Sequence, residues 1–113
     1  MTDLQRDIEV LINEGILTET DTIRFYFRYP KRMTGRIEKM YLGERANNCL
    51  RRAGIDSISQ IRQNWDDLGK IRNSGKKTVK EIRNAYISYY YDLLNERERK
   101  EFLRDMVEFT NAL

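Results

Sequence analysis

Two short polar segments decide how this chain is interpreted: RANNCL at residues 45–50 and NSGKKTVKE at residues 73–81, with 22 residues between them. In the second segment, Gly75 stands just before two lysines and a predicted helix. Glycine permits a positive φ and lets a ligand backbone approach closely. The first amides of a helix have no intrahelical partner and lie at its positive end, so a phosphate can bind there. Taken alone, however, this hairpin is better explained as an ordinary helix start after a glycine.

The first segment predicts a short helix whose polar face suits the minor groove of DNA. Arg45 lies in the first turn and Asn48 one turn later, on the same face. Arginine is favoured in the narrow minor groove of A·T-rich DNA, and asparagine can hydrogen-bond to the acceptors on the groove floor. Arginine in a first turn also opposes the helix dipole, which indicates a functional reason for its presence. Cys49 is most simply explained as a small buried residue.

The rest of the sequence predicts further helices, so the expected fold class is all-α, a compact multi-helix domain. Apolar spacing predicts helices over residues 3–14, 45–52, 76–94 and 95–111. Capping-box spacing predicts helix starts at Thr2–Gln5, Ser57–Gln60 and Asn95–Glu98. Gly15 and Gly54 are expected to end helices. Residues 18–29 combine a helix cap with strand-like alternation, so both states stay open there, with helix favoured.

Residue types that the chain lacks exclude several classes of function. There is no histidine, and Cys49 is the single cysteine, so a disulfide within the chain, a Ser-His-Asp triad and a Cys-His site are excluded. The carboxylates show no clustering typical of a magnesium site. We therefore expect a protein that is not an enzyme and has no metal or cofactor. No apolar run approaches the ~20 residues that span a bilayer, and the acidic N-terminus differs from a signal peptide, so a cytoplasmic location is expected.

The positive charge is concentrated around the two polar segments. The net charge is +3, and residues 42–94 carry ten basic and six acidic residues. Residues 1–41 carry seven of each, and residues 95–113 carry four basic and five acidic residues. This distribution is compatible with a nucleic-acid partner, although charge alone is better explained by a solvated surface. Residues 24–39 mix basic and aromatic side chains, which is typical of nucleic-acid surfaces but more often of an ordinary core face.

Taken together, the two segments resemble the C-terminal domain of the bacterial RNA polymerase alpha subunit. The residues that carry the resemblance are Arg45, Asn48, Cys49, Leu50 and Arg51 in the helix and Asn73, Gly75, Lys76, Lys77, Thr78 and Glu81 in and after the hairpin. The resemblance covers about residues 40–94. It implies a helical domain with a helix-hairpin-helix-like unit that binds the A·T-rich minor groove of double-stranded DNA and meets RNA polymerase, sigma factors and transcription regulators.

The resemblance also implies which residues contact DNA. They are Arg45, Asn48, Cys49, Gly75, Lys76, Lys77, Thr78 and Glu81. Arg45 would enter the groove, and Gly75 with Thr78 would hold a phosphate. Glu81 would orient a basic neighbour rather than contact DNA. No catalytic or metal-binding residue is implied.

Three departures from the family limit this interpretation. Ser74 replaces the usual apolar residue of the hairpin and is expected to loosen it. Residues 36–41 replace an acidic stretch, which puts the sigma-facing surface in doubt. The sequence also lacks the large assembly domain of alpha, so we expect a stand-alone module rather than a working polymerase subunit. The predicted organisation is a single domain over residues 1–113, with an N-terminal extension (1–41), the alpha-like core (42–94) and a C-terminal helix (95–113).

A second interpretation is a protein-interaction module without significant DNA binding. The tyrosines between Tyr86 and Tyr91 form a dense aromatic patch, and this patch or the C-terminal helix could form a homodimer or dock a sigma factor or regulator. A third interpretation, a polymerase mimic or inhibitor from a mobile element, is not distinguished by the sequence.

Overall fold

The described part of the chain is helical. The computed structural model describes residues 2–17 and 33–111, and these residues contain five α-helices, two 3₁₀ helices and no β-strand. The α-helices are α1 (Asp3–Asn13), α2 (Glu44–Arg52), α3 (Ile58–Gln63), α4 (Lys76–Asp92) and α5 (Glu96–Asn111), and the 3₁₀ helices are Ile37–Met40 and Trp65–Lys70. The all-α class is confirmed. The helix or strand expected over residues 18–29, and the basic-aromatic residues 24–32, lie outside the described residues.

The predicted capping boxes are present at three helix starts. The Thr2 hydroxyl accepts from the Gln5 amide, and the Gln5 side chain accepts from the Thr2 amide. The same reciprocal pair links Ser57 with Gln60 before α3. Before α5, Asn95 and Glu98 exchange hydrogen bonds of 2.9 and 3.0 Å. Each box satisfies amides that the first turn leaves without a partner, which explains why the helices begin at these positions.

Two glycines end helices as predicted, by adopting the left-handed conformation. Gly15 follows α1 at φ +73°, and Gly54 follows α2 at φ +77°. In the turn at Gly54, the amide of Ile55 donates to Leu50 O at 2.9 Å, and the Gly54 amide donates to Arg51 O at 3.0 Å. This is the Schellman pattern, and it requires a residue that tolerates positive φ. The adjoining Ala53 is exposed, since it lies at the C-cap of α2.

The described residues divide into two compact units. The central unit contains residues 33–86, and the terminal unit contains residues 2–17 and 87–111. Helix α4 contributes to both, since its residues up to Tyr86 belong to the central unit and those from Ile87 to the terminal unit. The core of the central unit is built from fully buried aliphatic side chains, namely Ile37, Leu50, Ile58, Ile61, Leu68 and Ile82.

Backbone contacts in the central unit connect the segment before α2 with the start of α3. Arg36 and Ser57 form an isolated antiparallel bridge. The amide of Ile37 donates to Asp56 O at 3.1 Å, and the amide of Ile58 donates to Gly35 O at 2.9 Å. These bonds hold the approach to α2 in place, and α2 carries the first of the two polar segments.

The terminal unit is organised around a buried tyrosine. The Tyr91 hydroxyl donates to Asp7 Oδ2 at 2.6 Å, and the Arg99 guanidinium lies 4.7 Å from the centre of the Tyr91 ring. Arg99 also donates to Asp3 Oδ2 at 3.1 Å. Burial and the neighbouring Asp7 carboxylate raise the pKa of Tyr91 well above its usual value. These contacts join α1 to α4 and α5 within this unit.

Most of the aromatic patch that the second interpretation offered as a homodimer or docking surface is buried. Tyr86, Tyr90 and Tyr91 are all buried, and Tyr89 is partly buried. Tyr86 packs edge-on against Trp65 in the central unit, whereas Tyr90 and Tyr91 pack against Phe102 in the terminal unit. These tyrosines therefore offer little accessible surface for a dimer or a docked partner. Among the described helices, none has the length and apolar character to cross a bilayer.

Candidate nucleic-acid interface

Helix α2 presents the first polar segment with one side to solvent and the other to the core. Arg45 and Asn48 are exposed, whereas Ala46, Cys49 and Leu50 are buried. The exposed pair is three residues apart and so lies on one face of the helix, as predicted. Cys49 is a core residue at the edge of that face, in agreement with its simplest explanation.

An open concavity brings α2 together with the hairpin before α4. It has a volume of about 400 Å³ and is lined by Glu44, Arg45, Asn48, Cys49, Arg52 and Asn73. The Cys49 thiol lies 3.4 Å from the carbonyl oxygen of Asn73, to which it donates. The structure therefore brings three of the predicted site residues of α2 to the same surface as the hairpin. Three residues of this lining, Glu44, Arg52 and Asn73, were not among the predicted contacts.

The left-handed residue of the hairpin is Asn73 rather than Gly75. Asn73 has φ +68°, while Gly75 is not among the residues with positive φ. The expectation that Gly75 supplies this conformation is wrong, because asparagine also tolerates the left-handed region and takes that position here. A β-carbon at Gly75 would have no atom within 4 Å. Neither backbone conformation nor internal packing therefore requires glycine at this exposed position.

Ser74 holds the hairpin through its hydroxyl group. Its Oγ lies 2.7 Å from Ile71 O and 2.9 Å from Leu68 O, and its amide donates to Ile71 O at 3.1 Å. The expectation that this serine loosens the hairpin is wrong, because its hydrogen bonds connect the turn to the preceding 3₁₀ helix. In place of the apolar packing expected at this position, Ser74 forms hydrogen bonds to backbone carbonyl oxygens.

The start of α4 presents charge but less hydroxyl surface than expected. Lys76 and Lys77 are exposed in the first turn, and the amide of Val79 donates to Gly75 O at 3.0 Å as the helix begins. Thr78 is only 7% exposed. The two lysines are thus open to a phosphate, whereas Thr78 has little accessible surface to offer one.

Glu81 connects the start of α4 to the start of α2. Its Oε2 accepts a hydrogen bond of 2.9 Å from the amide of Gly43, the residue before α2. A β-carbon at Gly43 would lie 3.3 Å from the same oxygen, so the close approach favours glycine there. In the part of the chain that is described, Glu81 therefore holds a backbone amide instead of the basic side chain that was expected. It stands where it can set the position of Arg45, two residues after Gly43.

The two arginines at the end of α2 have different surroundings. Arg51 donates to the Glu38 carboxylate, which Arg36 also approaches at 3.4 Å. The hydrogen bond from Arg51 lowers the pKa of Glu38 below its usual value. Arg52 lines the concavity instead, on the face that carries Arg45. Sequence reasoning missed Arg52, although its spacing of seven residues from Arg45 placed both on one helical face.

A comparison with known families covers the region that contains the concavity. Residues 28–88 match the family of the C-terminal domain of the bacterial RNA polymerase alpha chain. This protein belongs to that family. The alpha C-terminal-domain match contains α2, α3, the hairpin and most of α4, and so includes every predicted site residue. The resemblance proposed from the two polar segments is confirmed, and a transcription-related role follows from it.

Individual relatives are alpha subunits of DNA-directed RNA polymerase. The subunit of Mycoplasma capricolum is 36% identical over 87 residues, which is 76% of this chain and 25% of that subunit. The subunit of Clostridium perfringens is 34% identical over 83 residues, covering 73% and 23% of the two proteins. The subunit of Desulforamulus reducens is 43% identical over 63 residues, covering 55% and 20%. The present sequence thus spans about a quarter of the length of the first two relatives. No solved structure matches it.

Proposed function

We propose that the protein is a DNA-binding module that inserts Arg45 into the minor groove of A·T-rich duplex DNA and holds the adjacent phosphates with the start of α4. The observation that carries the proposal is the concavity in which Arg45, Asn48 and Asn73 line one surface between α2 and the hairpin. The role is transcription-related, and the cytoplasmic location expected from the sequence belongs to the same proposal.

The charges around the concavity support this assignment. Arg45 and Arg52 are both exposed, and they line the concavity together with one acidic residue, Glu44. Lys76 and Lys77 add exposed charge at the positive end of α4. Arginine is the side chain that responds to the enhanced negative potential of a narrow minor groove. Lysine at a helix start is suited to phosphate.

A direct titration tests the proposal. We expect fluorescence anisotropy at low salt to show tighter binding to an A·T-rich duplex than to a G·C-rich duplex of equal length. Arg45→Ala should weaken binding to the A·T-rich duplex by about 1–3 kcal/mol. Arg97→Ala is the control, because Arg97 is exposed on α5 and its loss changes the net charge equally. Equal binding by the wild type and Arg45→Ala would contradict the proposal.

Docking to a protein of the transcription machinery is the second candidate. The observation that favours it is Tyr41, which is 93% exposed and lies three residues before α2. A large aromatic side chain presented to solvent is typical of protein interfaces. Retention of RNA polymerase or a sigma factor on the immobilised protein, lost in Tyr41→Ser and retained in Arg45→Ala, would favour this candidate.

A further inference from the structure

Arg52 occupies a position on the candidate interface that neither the family resemblance nor the sequence motifs assigned to DNA. It is exposed, and it lines the same concavity as Arg45, Asn48 and Asn73. Arg52 follows Asn48 by four residues and Arg45 by seven, so the three side chains form a row along one face of α2. The row begins where α2 starts and ends at its last residue.

The ordinary explanation for Arg52 is a favourable charge at the negative end of a helix. Arg51 provides the same charge in the same turn, and it is bound to Glu38. Arg52 forms no ion pair or hydrogen bond with the residues that the structure describes. Interaction with the dipole therefore accounts for an arginine at the end of α2 but not for a second one that faces the concavity.

We propose that Arg52 contacts a DNA phosphate at the edge of the groove that Arg45 enters. This inference rests on the proposed function. The α-helical rise places the Cα atoms of Arg45 and Arg52 about 10.5 Å apart along the axis. The minor groove is only about 6 Å wide, which is less than this separation. If the first turn of α2 enters the groove, its last turn therefore lies over the phosphates at the groove edge. A guanidinium is suited to bidentate contact with phosphate oxygens.

A phosphate contact and a base contact change binding in different ways. Loss of one phosphate contact lowers the slope of log K against log[salt] by about 0.9 and weakens binding to all sequences alike. If affinities at 1 M salt coincide, that slope difference corresponds to about an eightfold weaker binding at 0.1 M salt. Arg45→Ala, by contrast, should reduce the preference for A·T-rich over G·C-rich DNA, because Arg45 is the groove residue.

The experiment compares Arg52→Ala with Arg51→Ala in the whole 113-residue chain. Both variants remove one positive charge from the last turn of α2, so they change net charge and the dipole interaction equally. We expect Arg52→Ala to lower the salt slope by about 0.9 on both duplexes and Arg51→Ala to leave it close to the wild-type value. Arg52→Lys should retain the wild-type slope, since it keeps a charge that can contact the phosphate. Arg52→Gln serves as the neutral variant should Arg52→Ala fail to fold by circular dichroism.

The outcomes separate this inference from the proposed function. Equal slopes for the Arg51 and Arg52 variants would overturn the phosphate contact, as would a loss confined to A·T-rich DNA. If Arg45→Ala weakens binding but the neutral Arg52 variants do not, only the role of Arg52 fails. If the wild type binds neither duplex, the proposed function fails and the role of Arg52 with it.

Discussion

Replacing Glu81 with alanine should weaken DNA binding even though it removes a negative charge from the candidate interface. Glu81 accepts the Gly43 amide at 2.9 Å, and Gly43 directly precedes the helix that carries Arg45. Without the carboxylate, this amide exchanges a protein partner for water, and the start of α2 is no longer attached to α4. The position of Arg45 relative to the hairpin should then be less well defined.

Two opposing contributions set the size of the effect on DNA affinity: the lost hydrogen bond that positions α2, and the removed repulsion between Glu81 and the DNA phosphates. A hydrogen bond of this kind contributes about 0.5–1.5 kcal/mol net, and its exposed setting argues against a larger value. An acidic group about 10 Å from a DNA phosphate opposes binding by only about 0.4 kcal/mol in water, and salt reduces this further. The loss of position therefore outweighs the loss of repulsion. We expect Glu81→Ala to bind DNA about threefold more weakly and to unfold about 1 kcal/mol more easily.

The glutamine variant separates the two contributions. Glu81→Gln retains an acceptor oxygen for the Gly43 amide but has no charge, so it should bind DNA as well as the wild type or slightly better. Glu108→Ala is the control, because it removes one exposed acidic group in the terminal unit. Affinity is measured by anisotropy and stability by urea unfolding. Binding by Glu81→Ala that equals or exceeds that of Glu81→Gln would refute the positioning role.

Two further predictions concern Gly75 and Tyr91. Gly75→Ala should leave the free energy of unfolding within about 0.5 kcal/mol of the wild-type value, since a β-carbon there has no atom within 4 Å. The same variant should weaken DNA binding, because the methyl group would keep a phosphate from this backbone. Unchanged affinity in the anisotropy titration would remove Gly75 from the interface. Tyr91→Phe should lower the free energy of unfolding by about 1–2 kcal/mol at pH 8, because the hydrogen bond to Asp7 is lost. The raised pKa of Tyr91 means that the folded state favours the protonated phenol. The contribution of Tyr91 to the free energy of unfolding is therefore complete below pH ~10 and falls at higher pH by up to about 1.4 kcal/mol per pH unit. Urea unfolding at pH 8 and pH 11 should therefore show a smaller difference between the wild type and Tyr91→Phe at the higher pH, and a constant difference would contradict this account.

The helix boundaries were predictable because their signals are local. A capping box or a glycine at a helix end involves residues three to five positions apart, as at Ser57 and Gly54. The faces of α4 were less predictable. Its tyrosines are buried by partners from distant parts of the sequence, Trp65 for Tyr86 and Phe102 for Tyr91. Helical spacing identifies which residues share a face but not how much of the helix circumference tertiary packing covers.

The structure brings three of the predicted residues, Arg45, Asn48 and Cys49, to one surface, but the way this surface is built was not predictable. Motif spacing singled out Gly75 as a candidate, but several residue types can adopt the left-handed conformation, so the sequence did not distinguish Asn73 from the glycine two residues later. The bond between Glu81 and Gly43 joins residues 38 positions apart, and the sequence carries no local signal for it. The one feature that could have indicated this bond is Gly43 itself. As the N-cap of α2 it has no side chain to cap the helix, so a more distant group can bind the amide there.

The conformation of Tyr41 has a consequence for how freely this surface can change. Tyr41 adopts φ +53° and ψ +45°, a left-handed conformation that costs an ordinary side chain about 1–2 kcal/mol relative to glycine. Almost its whole side chain is in solvent, so the interior gains nothing from its identity. Substitutions at this position can therefore change the chemistry of the exposed surface without any repacking of the core, and a change to glycine would leave the fold more stable than it is now.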